Sequence, residues 1–114
     1  MWYNMNMRRE FIETEVFQRN WKNCGLTEND LRSLQERLLH KPDSGESLGY
    51  GLYKIRIASG GHGRRGGSRI IYFEWSEEMR IYLLVCYPKN KQENLSVEQL
   101  QVLKTLVDRI KGGG

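Results

Sequence analysis

Histidine and cysteine are scarce in this sequence, with two of each in 114 residues. Cys24, Cys86, His40 and His62 form neither a CxxC pair nor a zinc-ligand spacing, so no metal site and no cofactor is expected. Cys86 sits in the apolar run 81–87 and reads as a small buried hydrophobe, while Cys24 precedes Gly25 at a helix end. The favoured reading is a pair of thiols in a reducing cytosol; a disulfide between them is the other. No apolar run approaches the roughly 18 residues of a membrane span. The opening MWYNMNMRRE carries its charges after its aromatics with no apolar core behind them, which argues against a secretory signal and for the cytoplasm. Acidic residues are missing from a long internal stretch: none occurs from Ser47 to Phe73.

What fills that stretch is basic. Lys54, Arg56, His62, Arg64, Arg65 and Arg69 all fall within it, in a chain whose net charge is only +4. A concentrated cationic surface attracts polyphosphates, which a modest net charge alone does not establish. The plainer alternative is a solvated sheet face, but such faces usually intersperse Glu or Asp among their cations.

Hydrophobic periodicity organises the rest of the chain. Residues 8–14 read as a short strand around Phe11 and Ile12. Thr14 is placed to cap a helix carrying Val16, Phe17 and Trp21, with Gly25 as its terminating glycine. Thr27 and Asp30 have capping-box spacing ahead of Leu31, Leu34 and Leu38, and that helix ends before Pro42. The two helices form a hairpin, and residues 41–51 read as a connector. Residues 52–58, 68–75 and 80–87 then read as strands, the last two joined by a short turn at Glu77 and Glu78. Ser96 and Gln99 open a final helix whose stripe is Leu100, Leu103, Val107 and Ile110. The expectation is one α+β domain over 1–114: a mainly antiparallel sheet of about four strands, the helical hairpin and C-terminal helix packed on it, an extension at 1–7 and a flexible tail at 112–114.

Alternation along residues 52–58 puts Lys54 and Arg56 on one face, with Tyr53, Ile55 and Ile57 on the other. If 68–75 is the neighbouring strand, Arg69 lies beside Arg56 on the open face. Tyr87, Lys89 and Lys91 come from the end of the third strand and the loop beyond it. Several cations and a phenol converging on one surface suit RNA cleavage, in which a 2′-hydroxyl attacks its own phosphate and negative charge develops on the phosphorane. A proton acceptor is harder to find. His40 reads as a surface residue at a helix end, and His62 as one in the loop 60–67 with Arg64 and Arg65, among five glycines.

The stretch 52–72, with its KIR strand, glycine-rich basic loop and SRIIY strand, resembles the HigB-like branch of the RelE/ParE toxin superfamily, as do LLVCYPKN at 83–90 and the helix start at 95–103. The resemblance covers roughly residues 8–111. It implies a RelE-like fold and the toxin of a type II toxin–antitoxin pair, a ribosome-dependent mRNA endoribonuclease that works without metal and with few or no histidines. By position it assigns Lys54, Arg56, Arg69 and Lys89 to catalysis; Tyr87 joins them as the phenol on the same surface, and the basic residues of the neighbouring loops, Arg64, Arg65, Lys91 and His62, read as RNA or ribosome contacts. It also implies a cognate antitoxin, HigA-like with a helix-turn-helix domain, alongside the ribosome and mRNA as partners. The chain departs from the pattern at Pro88, in place of a glycine, and at Asn90, in place of an arginine. The competing readings are a ParE-type gyrase poison, which shares the fold but generally lacks the converging cations, and a non-catalytic RNA-binding module.

Overall fold

A computed structural model describes residues 8–58 and 67–112. The chain runs β1 (Glu10–Glu13), α1 (Glu15–Asn23), α2 (Glu28–His40), β2 (Glu46–Gly49), β3 (Leu52–Ile57), β4 (Ser68–Trp75), β5 (Arg80–Pro88) and α3 (Val97–Gly112), with a short 3-10 turn at Ser76–Glu78. The sheet has five strands in the order β1-β5-β4-β3-β2, antiparallel except for the parallel pair β1 and β5. This is the α+β class the periodicity implies, with one strand more than expected.

The helix starts form where the side chains dictate. Thr14 Oγ1 accepts from Phe17 N at 2.9 Å. Thr27 and Asp30 make a reciprocal capping box, and Ser96 and Gln99 make another (Gln99 N to Ser96 Oγ 3.0 Å, Ser96 N to Gln99 Oε1 2.8 Å). Each satisfies amide donors that a helix N-terminus leaves without partners. Two sequence expectations fail locally. Residues 41–51 are not only a connector, because β2 lies within them and pairs with β3. Tyr50 and Gly51, both at positive φ, make the tight turn between these strands, and a Cβ on Gly51 would lie 2.8 Å from the Phe73 ring. Gly112 is the last residue of α3 rather than part of a tail. The extension at 1–7 and the final residues 113–114 lie outside the described residues.

Each face of the sheet carries a core. On one side Phe17 and Trp21 of α1 and Leu34 and Leu38 of α2 pack against Ile55, Ile70, Tyr72, Ile81 and Leu83. On the other, Leu103 and Val107 of α3 cover Leu52, Ile71, Phe73 and Leu84. A bulge in β5 decides which residues share a face. Ile71 pairs with Val85 but Tyr72 with Leu83, so Leu84 is the extra residue. One extra residue shifts the alternation by one and sends everything beyond it to the opposite face. Tyr87 is thereby placed on the α3 side, opposite Arg69. Thr14 anchors the bulge, its hydroxyl donating to Leu84 O at 2.7 Å.

Candidate functional site

Strand register lines up the key residues. Arg56 of β3 pairs with Arg69 of β4, and Arg69 pairs with Tyr87 of β5, so the three side chains form a row across the sheet. Lys54 is two residues along β3 on the same face, opposite Ile71. The row lies at the end of the sheet where β4 begins and β5 ends, beside the segment 89–95 that leads into α3. Gly67 closes this corner: it adopts φ +62°, a Cβ there would sit 2.0 Å from Ile57 O, and its own carbonyl accepts from Lys89 N at 3.1 Å. Only glycine tolerates that close approach.

Arg69 does not lie on an open face. It is 1% exposed, and its guanidinium grips the Glu93 carboxylate (Nη2 to Oε1 3.1 Å and to Oε2 3.2 Å, Nε to Oε2 3.2 Å). The flanking strands bury the arginine while its charge remains satisfied by a carboxylate that reaches in from the loop. Lys54 Nζ donates to Asn94 Oδ1 at 2.7 Å and lies 3.6 Å from Glu46 Oε1. Tyr87 donates its hydroxyl to Glu93 O at 3.4 Å. Burial pushes the Tyr87 phenol above its usual range; the Arg69 charge pulls it back and Glu93 pushes it up again. Such a phenol stays protonated at neutral pH, so it is available as a donor and not as a base. Burial also raises the Glu93 carboxyl, but the hydrogen bonds and charge of Arg69, with Lys89 and Lys54, outweigh this and hold it below the usual carboxylate range.

Lys54, Arg56, Arg69 and Tyr87 therefore come together. Lys89 and Lys91 are exposed on the turn just beyond β5. His62, Arg64 and Arg65 lie outside the described residues. Sequence reasoning missed Glu46, Glu93 and Asn94, which counter the cations from outside the acid-free stretch. A signal for Glu93 and Asn94 existed: capping at Ser96 limits the loop after β5 to a few residues, which keeps it over the strand ends. Arg37 was missed too. It donates from α2 to Arg56 O at 3.3 Å, where β3 runs past its β2 partner, and adds a cation at that corner. Cys24 and Cys86 face each other as buried thiols, Sγ to Sγ 3.6 Å.

The sheet and its cation row define a small α+β protein with a cluster of basic side chains at one end of the sheet. The chain belongs to the RelE toxin family of toxin–antitoxin systems: the family model described as RelE toxin of the RelE/RelB toxin–antitoxin system matches residues 9–112. Among similar solved structures, a mutant of the Escherichia coli toxin RelE in the free state shares 18% identity at TM-score 0.54, over 75% of this chain and 87% of that one. The toxin chain matched in the intact E. coli RelBE toxin–antitoxin complex shares 17% identity at TM-score 0.54, over 71% of this chain and 96% of that one. At such identities the likeness is one of fold.

Proposed function

We propose that this toxin is a ribosome-dependent mRNA endoribonuclease of the HigB-like branch, acting in the cytoplasm as one RelE-like domain. The observation that carries the reading is the row Arg56–Arg69–Tyr87 with Lys54 beside it. Arg69 and Arg56 hold the charge that develops on the phosphorane as the 2′-hydroxyl attacks, work that removal of single donors elsewhere shows to be about 100-fold or more in rate. Tyr87, kept protonated by its surroundings, donates to the departing 5′-oxygen. Lys54 and Lys89 orient the backbone, and Lys91, His62, Arg64 and Arg65 contact RNA or the ribosome. The acceptor of the 2′-hydroxyl proton comes from the site's own basic groups or the ribosomal RNA around it. No metal enters this scheme.

The antitoxin in the RelBE complex supports a cognate antitoxin for this chain as well; we take it to be HigA-like with a helix-turn-helix domain. The cation row argues against a ParE-type gyrase poison, which has no need of it. A translation reaction supplied with the toxin, read by primer extension, is the test. Discrete stops on translated mRNA, undiminished by EDTA under conditions that keep ribosomes intact, are expected; the absence of stops would remove the reading. Charge reversal at Arg64 and Arg65 together should weaken ribosome cosedimentation, most strongly at low salt.

A further inference from the structure

We propose that residues 92–94 form an intramolecular strap that holds the Glu93 carboxylate in the phosphate position of the Arg69 site, so that RNA binds there only by displacing it. This rests on the reading of Arg69 as an RNA-phosphate contact. A carboxylate and a phosphodiester each offer two oxygens to the guanidinium fork, and Arg69 meets Glu93 through both. The neighbouring residue repeats the pattern. Asn94 Oδ1 takes the Lys54 ammonium at 2.7 Å, and the Glu93 carbonyl takes the Tyr87 hydroxyl at 3.4 Å. Two consecutive residues thus engage three groups of the site with acceptor atoms, as two linked nucleotides would.

The strap is built to open. Its hold on the row runs through the Glu93 and Asn94 side chains and one long carbonyl contact, and the Glu93 side chain is 45% exposed, so water solvates the carboxylate once it leaves. Gln92 braces the segment by donating to Asn94 O at 2.8 Å and to Gln99 Oε1 at the start of α3. Its two ends are fixed, by the turn after β5 (Gln92 N to Lys89 O 3.2 Å) and by the Ser96 cap, so it can swing without unfolding either element. The carboxylate is held as an anion by Arg69, so mild acid does not release it; a competing anion does. One phosphate competes poorly with a tethered carboxylate, whose effective concentration is on the order of millimolar. A polyanion that also engages Arg56, Lys89 and Lys91 wins. The strap lowers the affinity of every anion for Arg69 by the same factor, so only a ligand with further contacts to spare, such as extended RNA, still occupies the site.

The experiment measures binding of a non-cleavable tetranucleotide, its 2′-hydroxyls replaced by hydrogen, and of inorganic phosphate, to the full chain and to Glu93→Gln. The pair is open to water on its Glu93 side only, and its closing constant is on the order of ten at most, so the variant should bind the tetranucleotide roughly fivefold more tightly and gain proportionally in phosphate affinity. Unchanged or weaker binding of both overturns the proposal. The titration of the Glu93 carboxyl, followed by NMR on the unmodified protein, is a second arm that no folding defect can confound. Arg69 holds that carboxyl below the usual carboxylate range, so saturating tetranucleotide should move its titration upwards; an unchanged titration overturns the strap. The ribonuclease reading fails separately: a toxin that never cuts mRNA but whose Glu93→Gln form binds more tightly keeps the strap and loses the activity.

Discussion

Replacing Arg69 by alanine should cost both stability and activity, and the two losses have different origins. The buried guanidinium makes three contacts of 3.1–3.2 Å with Glu93. Hydrogen bonds to a charged partner contribute about 1.5–3 kcal/mol when both groups are buried. Glu93 is 45% exposed and rehydrates when released, so about 1 kcal/mol is the appropriate share. Truncation also removes the γ and δ methylenes from a site that is 1% exposed, at about 0.8 kcal/mol each, before any residual cavity. The sum is about 2–3 kcal/mol, or a fall of about 10 °C in melting temperature for a domain of this size. Cleavage should fall about 100-fold or more when assayed well below the variant's melting point. Arg69→Lys separates the two effects: it keeps a stem and a charge but loses the fork, so it should melt close to the parent and still lose most activity. Urea midpoints and primer-extension yields of the three proteins test this. An alanine variant as stable as the parent would refute the burial argument, and a lysine variant with full activity would refute the role of the fork.

Gly67→Ala should destabilise the fold by about 2 kcal/mol or more, because a left-handed backbone and a Cβ 2.0 Å from Ile57 O act together; an unchanged urea midpoint would contradict this. Tyr72→Phe should cost about 1–2 kcal/mol, since the phenol donates to Pro42 O at 2.7 Å and accepts from Gly45 N at 3.2 Å, pinning the chain ahead of β2. Burial raises that phenol to about 12 in the folded protein from an ordinary 10.0, so the folded state holds its proton longer than the unfolded one. The stability it contributes is present below pH 10.0 and lost as pH rises towards about 12, and an alkaline denaturation limb shared by the phenylalanine variant would disprove the assignment. Glu93 has the opposite sign: its carboxyl is held below its ordinary 4.5, so its contribution is present above that pH and is lost as pH falls through and below it. Glu93→Gln should flatten this part of the acid limb in denaturant midpoints, and identical limbs would contradict the ion pair.

The helices were legible because their signals are local. Thr14, Thr27 and Ser96 each sit three residues from a partner that completes the cap, and the leucine periods follow directly. The strands β3, β4 and β5 were legible from alternation and the β4–β5 pair from one short turn, whereas the juxtaposition of Arg56 and Arg69 stood only on the condition that β3 and β4 are neighbours, which the register meets. The strand β2 was not, since Glu-Ser-Leu-Gly among turn-forming residues carries no period, and only pairing with β3 makes it a strand. The burial of Arg69 was hidden for a related reason. Alternation reports a face, but not what covers it, and the covering residues Glu93 and Asn94 come from beyond the next strand. Counting acids along the sequence from Ser47 to Phe73 left the site uncompensated, whereas Glu46 and Glu93 compensate it in space. The bulge at Leu84, which sets the face of Tyr87, leaves no mark in an all-apolar run.

If the cation row turns an mRNA's own 2′-hydroxyl against the adjacent phosphate on the ribosome, the cut ends carry the mark of that attack. Defined mRNA is incubated with the toxin, with and without programmed ribosomes, and the upstream fragment's terminus is read by mass spectrometry. A 2′,3′-cyclic phosphate or its hydrolysis product, formed only with ribosomes present and reduced about 100-fold by Arg69→Ala, is the predicted result. A 3′-hydroxyl terminus, or equal cutting of naked mRNA, would contradict it.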